Sequence, residues 1–476
     1  MAGYKPPPYN TTAHPTMLTF ANTLSDIATA VKGTLSPTFD AVSVSGVAID
    51  SRKVSPGDVF IALGGTQADG HGFVSTALQS GAAGAIVSRL PEGLSADSAP
   101  LIIVPDTLLA LGDLGAAARQ ASGALVFGIT GSAGKTTVKN MIAAVLAQVG
   151  PTLATEGNYN TEIGLPLMLL QLRPEHRFCV LELAMRGRDQ IHYLARICRP
   201  KIGVITNIGE SHFGLLGSRE AIAQAKAEIL ASLPADGTAI LPRDDFFFDL
   251  LNELALCPVT SFGEGDNADI QISEVRIEGL EGVRCTLRAG GDEAEVFLGI
   301  PGRHIAMNAG AAAGACLAAG LSLADIARGL EGFTVADMRM QVTEAPAGYT
   351  VINDAYNASP ASVLAALEVL EVQTGRKVLV FGDMLELGPL TREAHERVGR
   401  VVAEAGIAWM VTVGEWAGVA AEVAEGLGVP VTRFMDREAA LEAVKAGLQP
   451  GDVVLVKASR GIGLDTIARG LADVAR

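Results

Sequence analysis

Residues 128–137, GITGSAGKTT, constrain what this chain can fold into more than any other stretch. An apolar run, residues 124–129, leads into them, and Val138, Met141, Ile142, Val145 and Leu146 follow at the spacing of one helix face. The order strand, glycine loop, helix predicts a parallel sheet, because parallel strands have to be joined by crossover connections. The loop itself suits an anion. Gly131 and Gly134 let the backbone N–H groups of Ser132, Ala133 and Thr137 crowd around phosphate oxygens, Lys135 adds a positive charge, and Thr136 offers a hydroxyl to a phosphate-bound magnesium ion. Ile129 stands where the longer phosphate-loop pattern has glycine, so the motif is the shorter G-x-x-G-K-[ST] form.

At 476 residues the chain exceeds one ordinary core, and three domains is the expectation. Hydrophobic residues make up 49% and charged residues 18%, which fits an Ala- and Gly-rich globular protein rather than a disordered one. A net charge of -16 argues against nucleic-acid binding over a broad face. The five cysteines, Cys179, Cys198, Cys257, Cys285 and Cys316, form no C-x-x-C pair and are expected to be reduced thiols of a cytoplasmic protein. Residues 1–16 carry no signal-peptide pattern and are expected to be a disordered tail. The uncharged run 305–324 is long enough to cross a bilayer, but it is mostly Ala and Gly and contains Asn308, so a tightly packed buried helix and no membrane insertion is predicted.

Short β-branched runs from VSVSGVAID to LIIVPD predict a small α/β domain over residues 17–108. Residues 109–336 hold the phosphate-loop unit, with further strands at FCVLEL and KIGVITNIG and a small antiparallel insertion over residues 268–300. Residues 337–476 restart the alternation, with strands at YTVIND, RKVLVFGD, AWMVTVG and DVVLVKAS, and predict a doubly wound, Rossmann-like third domain.

Ligands of open α/β sheets bind beyond the carboxyl ends of the strands, so polar residues just after each apolar run are the candidates. Glu182 follows FCVL, Glu210 and His212 follow VITNIG, and Lys226 comes shortly after. A carboxylate and an imidazole near a triphosphate suit magnesium, although His212 taken alone is an ordinary loop histidine and Lys226 a solvated helix lysine. Asn158, Asn160 and Thr161 bring donors and acceptors together in one loop. After the first strand of the third domain, Asp354 can accept from ribose hydroxyls and Tyr356 offers a stacking face beside Asn357. Lys457, Ser459 and Arg460 follow the last strand, and their cations suggest a second anion.

In order, GSAGKTT, GNYNTEIGLP, LELA, NIGESHFGLLGS, KAEIL, GRHIAMN, NDAYNASP, FGDMLELG and VKASR resemble the Mur ligases, the ATP-dependent amide-forming enzymes of peptidoglycan precursor synthesis. NDAYNASP, GNYNTEIG and GDMLELG are most similar to the branch that adds D-alanyl-D-alanine to UDP-N-acetylmuramoyl-tripeptide, and no D-x-P-R set of the preceding ligase is present. The resemblance implies that the first domain binds the UDP substrate through Asp50, Ser51, Arg52, Asp69, Gly70 and His71. It implies a central ATP-binding domain in which Lys135 contacts phosphate, Thr136, Glu182 and His212 serve two magnesium ions, and Lys226 is carbamylated. Asn308 would approach adenine, Arg339 and Asp354 would complete the nucleotide site, and Asn158, Asn160, Thr161, Arg188, Tyr356, Asn357, Lys457, Ser459 and Arg460 would face substrates. The implied enzyme is a monomer that closes its domains over an acyl phosphate. Three positions depart from the usual family pattern: Ile305 stands for Asn, and Ala184 and Ala458 stand for Gly. Another muramyl ligase, a folate polyglutamate ligase or a non-catalytic nucleotide-binding protein are the rival readings.

Overall fold

The computed structural model describes residues 18–65, 68–333 and 337–473. The expected tail, residues 1–16, lies outside them. Three sheets follow one another along the chain. Four parallel strands, Gly46–Ala48, Asp58–Ile61, Gly84–Val87 and Leu101–Ile103, pair in sequence order, and helix Thr107–Ala121 leads out of this sheet. Its apolar residues, among them Leu111 and Leu114, pack on Ile61, Ile86 and Ile102.

The central sheet has nine strands. The phosphate-loop strand, Leu125–Thr130, lies between Phe178–Glu182 on one side and Ile202–Ile205 on the other, all parallel. These two neighbours are reached by connections running in opposite directions. The loop after Leu125–Thr130 therefore opens into the crevice at the switch point of the sheet. The alternating stretch expected to form a small antiparallel insertion is antiparallel within itself and continuous with this sheet. Strand Ile270–Glu278 pairs parallel with Val259–Gly263, and Gly282–Ala289 and Asp292–Leu298 then extend the edge antiparallel. Two-residue periodicity marks strands but carries no information about which edge they join.

Helix Arg303–Ala318 covers the central sheet. Ala306, Ala309, Ala311, Ala312, Ala313 and Ala315 are all buried, and a Cβ on Gly314 would sit 3.1 Å from the Ile240 side chain. Small residues bring the helix backbone close to the strands, as expected of a packed helix. Among the described residues, no helix is long and apolar enough to cross a membrane.

The C-terminal sheet has six strands, with Gln341–Glu344 antiparallel at one edge and the rest parallel. Strand Val453–Lys457 lies between Thr350–Asn353 and Lys377–Gly382. The ends of these three strands thus put Asp354, Asp383 and Lys457 side by side, on the rim that faces the phosphate loop. All five cysteines are free, and every one except Cys257 is buried.

Candidate active site

The phosphate loop is shaped by its two glycines. Gly131 has φ 147° and Gly134 has φ 80°, a left-handed conformation that turns the chain into helix Lys135–Ala147. A Cβ on Gly134 would lie 2.5 Å from Asn308 Oδ1, and one on Gly131 would collide with Thr206 Oγ1. The next strand's loop braces the turn. Ala133 N donates to Asn207 Oδ1 at 3.0 Å, Asn207 Nδ2 donates to Ala133 O at 3.1 Å, and Ser132 N donates to Asn207 O at 3.0 Å. Lys135 folds back so that Nζ donates to Gly131 O at 2.7 Å. Burial lowers its affinity for a proton, with the Glu182 charge opposing that shift.

Glu182 ends its strand buried, 4% exposed, and each of its carboxylate oxygens accepts a hydrogen bond. Thr136 Oγ1 donates to Oε2 at 2.7 Å and Asn160 Nδ2 donates to Oε1 at 2.9 Å. Arg339, from the C-terminal domain, donates from Nη2 to Thr136 Oγ1 at 3.0 Å. A residue the sequence reading passed over, Lys139, is also buried here and donates to Thr155 O at 2.6 Å, while Glu182 N donates to Thr155 Oγ1 at 3.0 Å. Its position one helical turn after Lys135 was the available signal.

His212 adopts φ 67°, and its Nδ1 lies 2.8 Å from Glu386 Oε2 across the domain interface. Burial pushes its ring toward the neutral form, opposed by Glu386. Glu210 is paired at 2.8 Å with Arg397, again across the interface. Lys226 is not the solvated lysine its residue type suggests, being 1% exposed. Burial, reinforced by the charge of Lys135, holds its amine well below the usual lysine range. Among the described residues, Nζ of Lys226 makes no hydrogen bond or ion pair. A signal existed in the helix Arg219–Ala227, where Lys226 lies four residues after the buried Ile222 and three after the buried Ala223.

The C-terminal domain contributes a second polar cluster. Lys457, 1% exposed, pairs with Asp354 Oδ2 and donates to Asn357 O at 3.2 Å, so its charge is neutralised internally. Asp354 Oδ1 accepts from Met340 N at 3.1 Å. The Arg339 guanidinium stacks 4.2 Å over the Tyr356 ring, and Arg460 lies 5.6 Å from the same centroid. Met338 and Met340, on either side of Arg339, both have positive φ, so the segment is bent to aim that guanidinium at Thr136. Ser459 is buried and its Oγ accepts from Leu385 N at 2.9 Å. Asn357 is exposed. Ile305 is buried in the apolar core, while Asn308 lies against Gly134.

Asn158 and Asn160 share one turn, with Asn160 N donating to Asn158 O at 2.8 Å, and Thr161 Oγ1 accepts from Gly164 N at 3.4 Å. Arg188 is exposed. In the first domain, Arg52 forks onto Asp50 at 2.9 and 2.7 Å, just before the short helix that begins at Ser51. Asp69 pairs with Arg89 and with His71 Nδ1 at 2.7 Å. Ser88 N donates to His71 Nε2 at 3.0 Å, so both ring nitrogens are occupied and the proton sits on Nδ1. A Cβ on Gly70 would meet the Leu63 backbone at 2.7 Å.

Among the described residues, no group of three or more His, Cys, Asp or Glu side chains converges into a metal cage. Magnesium that arrives on nucleotide phosphates requires only one or two protein ligands. The adjacent Thr136 hydroxyl and Glu182 carboxylate, in front of an anion-binding loop, fit that need.

Comparison with known proteins agrees with this layout. Three family models match successive segments: "Mur ligase family, catalytic domain" over residues 43–119, "Mur ligase middle domain" over 129–316 and "Mur ligase, glutamate ligase domain" over 338–460. The UDP-N-acetylmuramoyl-tripeptide–D-alanyl-D-alanine ligase of Bacillus subtilis is 40% identical, covering 95% of this chain and 98% of its own. The Escherichia coli ligase of the same description is 35% identical over the same shares. A crystal structure of MurF from Acinetobacter baumannii superposes with a TM-score of 0.88 at 33% identity, covering 97% of this chain and 99% of that one. MurF ligase from Thermotoga maritima in complex with ADP gives 0.79 at 26% identity, covering 90% and 96%. The chain belongs to the Mur ligase family.

Proposed function

We propose that this chain joins D-alanyl-D-alanine to UDP-N-acetylmuramoyl-tripeptide with hydrolysis of ATP to ADP and phosphate. The observation that carries the reading is a phosphate loop whose Thr136, bonded to Glu182, is met by Arg339 from the C-terminal domain, in a chain 40% identical to such a ligase over 95% of its length.

A carboxylate is a poor acyl donor. ATP removes that obstacle when the tripeptide carboxylate takes up the γ-phosphoryl group, and positioning with charge neutralisation is what phosphoryl transfer demands of a protein. Lys135 and the N–H groups at the start of its helix, which are not among those bonded to Asn207, hold the transferring oxygens, and Arg339 adds charge from the facing domain. Magnesium, held through Thr136, Glu182 and His212, would supply further charge neutralisation. The dipeptide amine then attacks the acyl carbon, the C–N bond forms, phosphate leaves, and the same cations offset the oxyanion of the tetrahedral intermediate. Water would hydrolyse the acyl phosphate, so docking of the C-terminal domain precedes chemistry.

Lys226 carries the finer part of this reading. Its buried amine, whose proton affinity is lowered by burial and by the charge of Lys135, would in its neutral form take up carbon dioxide as a carbamate anion, with loss of a proton to solvent. A carbamate would replace electrostatic conflict with a ligand for the second magnesium. We assign the remaining nucleotide contacts to Ser132, Ala133, Thr137, Asn308 and Asp354, and the substrate contacts to the residues named for them above. We place the reaction in the cytoplasm, where ATP is supplied and thiols stay reduced.

The test is phosphate release from ATP with D-alanyl-D-alanine, with and without UDP-N-acetylmuramoyl-tripeptide, and mass spectrometry of the product. Release that requires both substrates, with the mass of one dipeptide less one water added, supports the reading. Release with a single amino acid in place of the dipeptide would assign the chain to a different ligase.

A further inference from the structure

We propose that Glu386 is a positioning residue for the ligase reaction: it reaches from the C-terminal domain to fix the His212 imidazole, so that this ring is set only when that domain is docked. The inference rests on the reading above that His212 serves phosphate-bound magnesium. Glu386 Oε2 accepts from His212 Nδ1 at 2.8 Å, and the other carboxylate oxygen lies 3.4 Å from Arg186 Nη2. The proton is thereby held on Nδ1. Among the described residues Nε2 has no hydrogen bond, which leaves its lone pair available to a metal ion. A carboxylate behind a histidine is the usual device for fixing a metal-binding tautomer.

The backbone on both sides is built for this contact. His212 and Glu386 have φ 67° and 65°, left-handed conformations that non-glycine residues keep only where their surroundings hold them. On the C-terminal side the holding is complete. Ala417 N donates to Asp383 Oδ1 at 2.7 Å, Met384 N to His395 Nε2 at 3.0 Å and Leu385 N to Ser459 Oγ at 2.9 Å, while Met384 and Leu387 are buried. On the central side, Gly209 N donates to Ser132 Oγ at 2.8 Å and Ser211 Oγ donates to Ser132 O at 3.2 Å, tying the His212 loop to the phosphate loop. Gly214 N donates to Glu386 O at 3.1 Å. Two glycines permit that approach, since a Cβ on Gly214 would lie 2.7 Å from Gly388 N. An incidental surface ion pair would require neither the two left-handed residues nor the paired glycines.

Glu386→Ala, Glu386→Gln, Gly214→Ala and His212→Ala, each checked for folding by thermal melt, test the proposal. In metal-free, nucleotide-free protein, imidazole ¹⁵N spectra should show His212 as one Nδ1-protonated tautomer. Glu386→Ala should mix the tautomers, and Glu386→Gln, whose amide oxygen still accepts, should retain most of the order. The magnesium concentration for half-maximal phosphate release should rise about tenfold or more in Glu386→Ala and Gly214→Ala. Gly214→Ala separates the pair with both side chains intact and carries the test if Glu386→Ala does not fold. An unchanged tautomer and magnesium dependence in Glu386→Ala or Gly214→Ala, alongside a shifted dependence in His212→Ala, would overturn the proposal alone. No shift in His212→Ala would overturn the metal role of His212 first.

Discussion

Replacing Lys226 by Met should stabilise the folded protein while abolishing ligation. The lysine is 1% exposed, lies near Lys135, and makes no hydrogen bond among the described residues. Desolvating a polar group that gains no protein hydrogen bond costs about 1–3 kcal/mol, and Met keeps the stem's volume in an adaptable thioether chain. Removing the amine should return about that much, less any imperfection in repacking. For a domain of this size, 1 kcal/mol corresponds to roughly 2–4 °C in Tm, so the central-domain transition should rise by about 2–12 °C. Differential scanning calorimetry in carbon-dioxide-depleted buffer without nucleotide measures it. The sign of the pH dependence is fixed by the lowered amine. The unfolded chain binds the proton that the folded chain resists, so the advantage of Met should shrink as pH rises toward the lysine value of 10.5. Ligase activity should be lost, and Lys226→Ala should recover part of it with a small added carboxylate. A variant destabilised by more than about 1 kcal/mol would show that the amine has a structural partner, and the reasoning from burial would be wrong.

Two further outcomes follow from the geometry. Gly134→Ala should reduce phosphate release at least tenfold with little loss of folding elsewhere, because its Cβ would meet Asn308 Oδ1 at 2.5 Å in a left-handed turn; ADP titration calorimetry and steady-state rates read this directly. His395 is fully buried, and its ring is held below the ordinary 6.5 mainly by burial while Nε2 accepts from Met384 N. Stability from the neutral ring is present above pH 6.5 and declines as pH falls below it, because only the unfolded chain readily takes up the proton. Urea melts of wild type and His395→Gln at pH 7.5, 6 and 5 should show the wild-type advantage shrinking toward acid.

Much of the site was legible because its parts are short-range. Gly131, Gly134, Lys135 and Thr136 lie within one turn, and Glu182 ends a strand of a parallel sheet whose ligand edge follows from topology. Burial of Lys226 was encoded in helix spacing, although residue type argued the other way. The contacts between domains were not legible. His212 and Glu386 are 174 residues apart, and Arg339 and Thr136 are 203 apart, distances over which no periodicity operates. The pairing of Lys457 with Asp354 on the neighbouring strand was not legible for a related reason. The edge strand Gln341–Glu344, half-buried and short, has no pattern to distinguish it from loop.

The central claim, that ATP activates the tripeptide carboxylate, is tested most directly by isotope transfer. UDP-N-acetylmuramoyl-tripeptide carrying ¹⁸O in both oxygens of its reacting carboxylate is turned over with ATP and D-alanyl-D-alanine in ordinary water. The account predicts one ¹⁸O in each released phosphate and one retained in the new amide. Unlabelled phosphate would mean that water, not the carboxylate, receives the phosphoryl group, and would contradict the account.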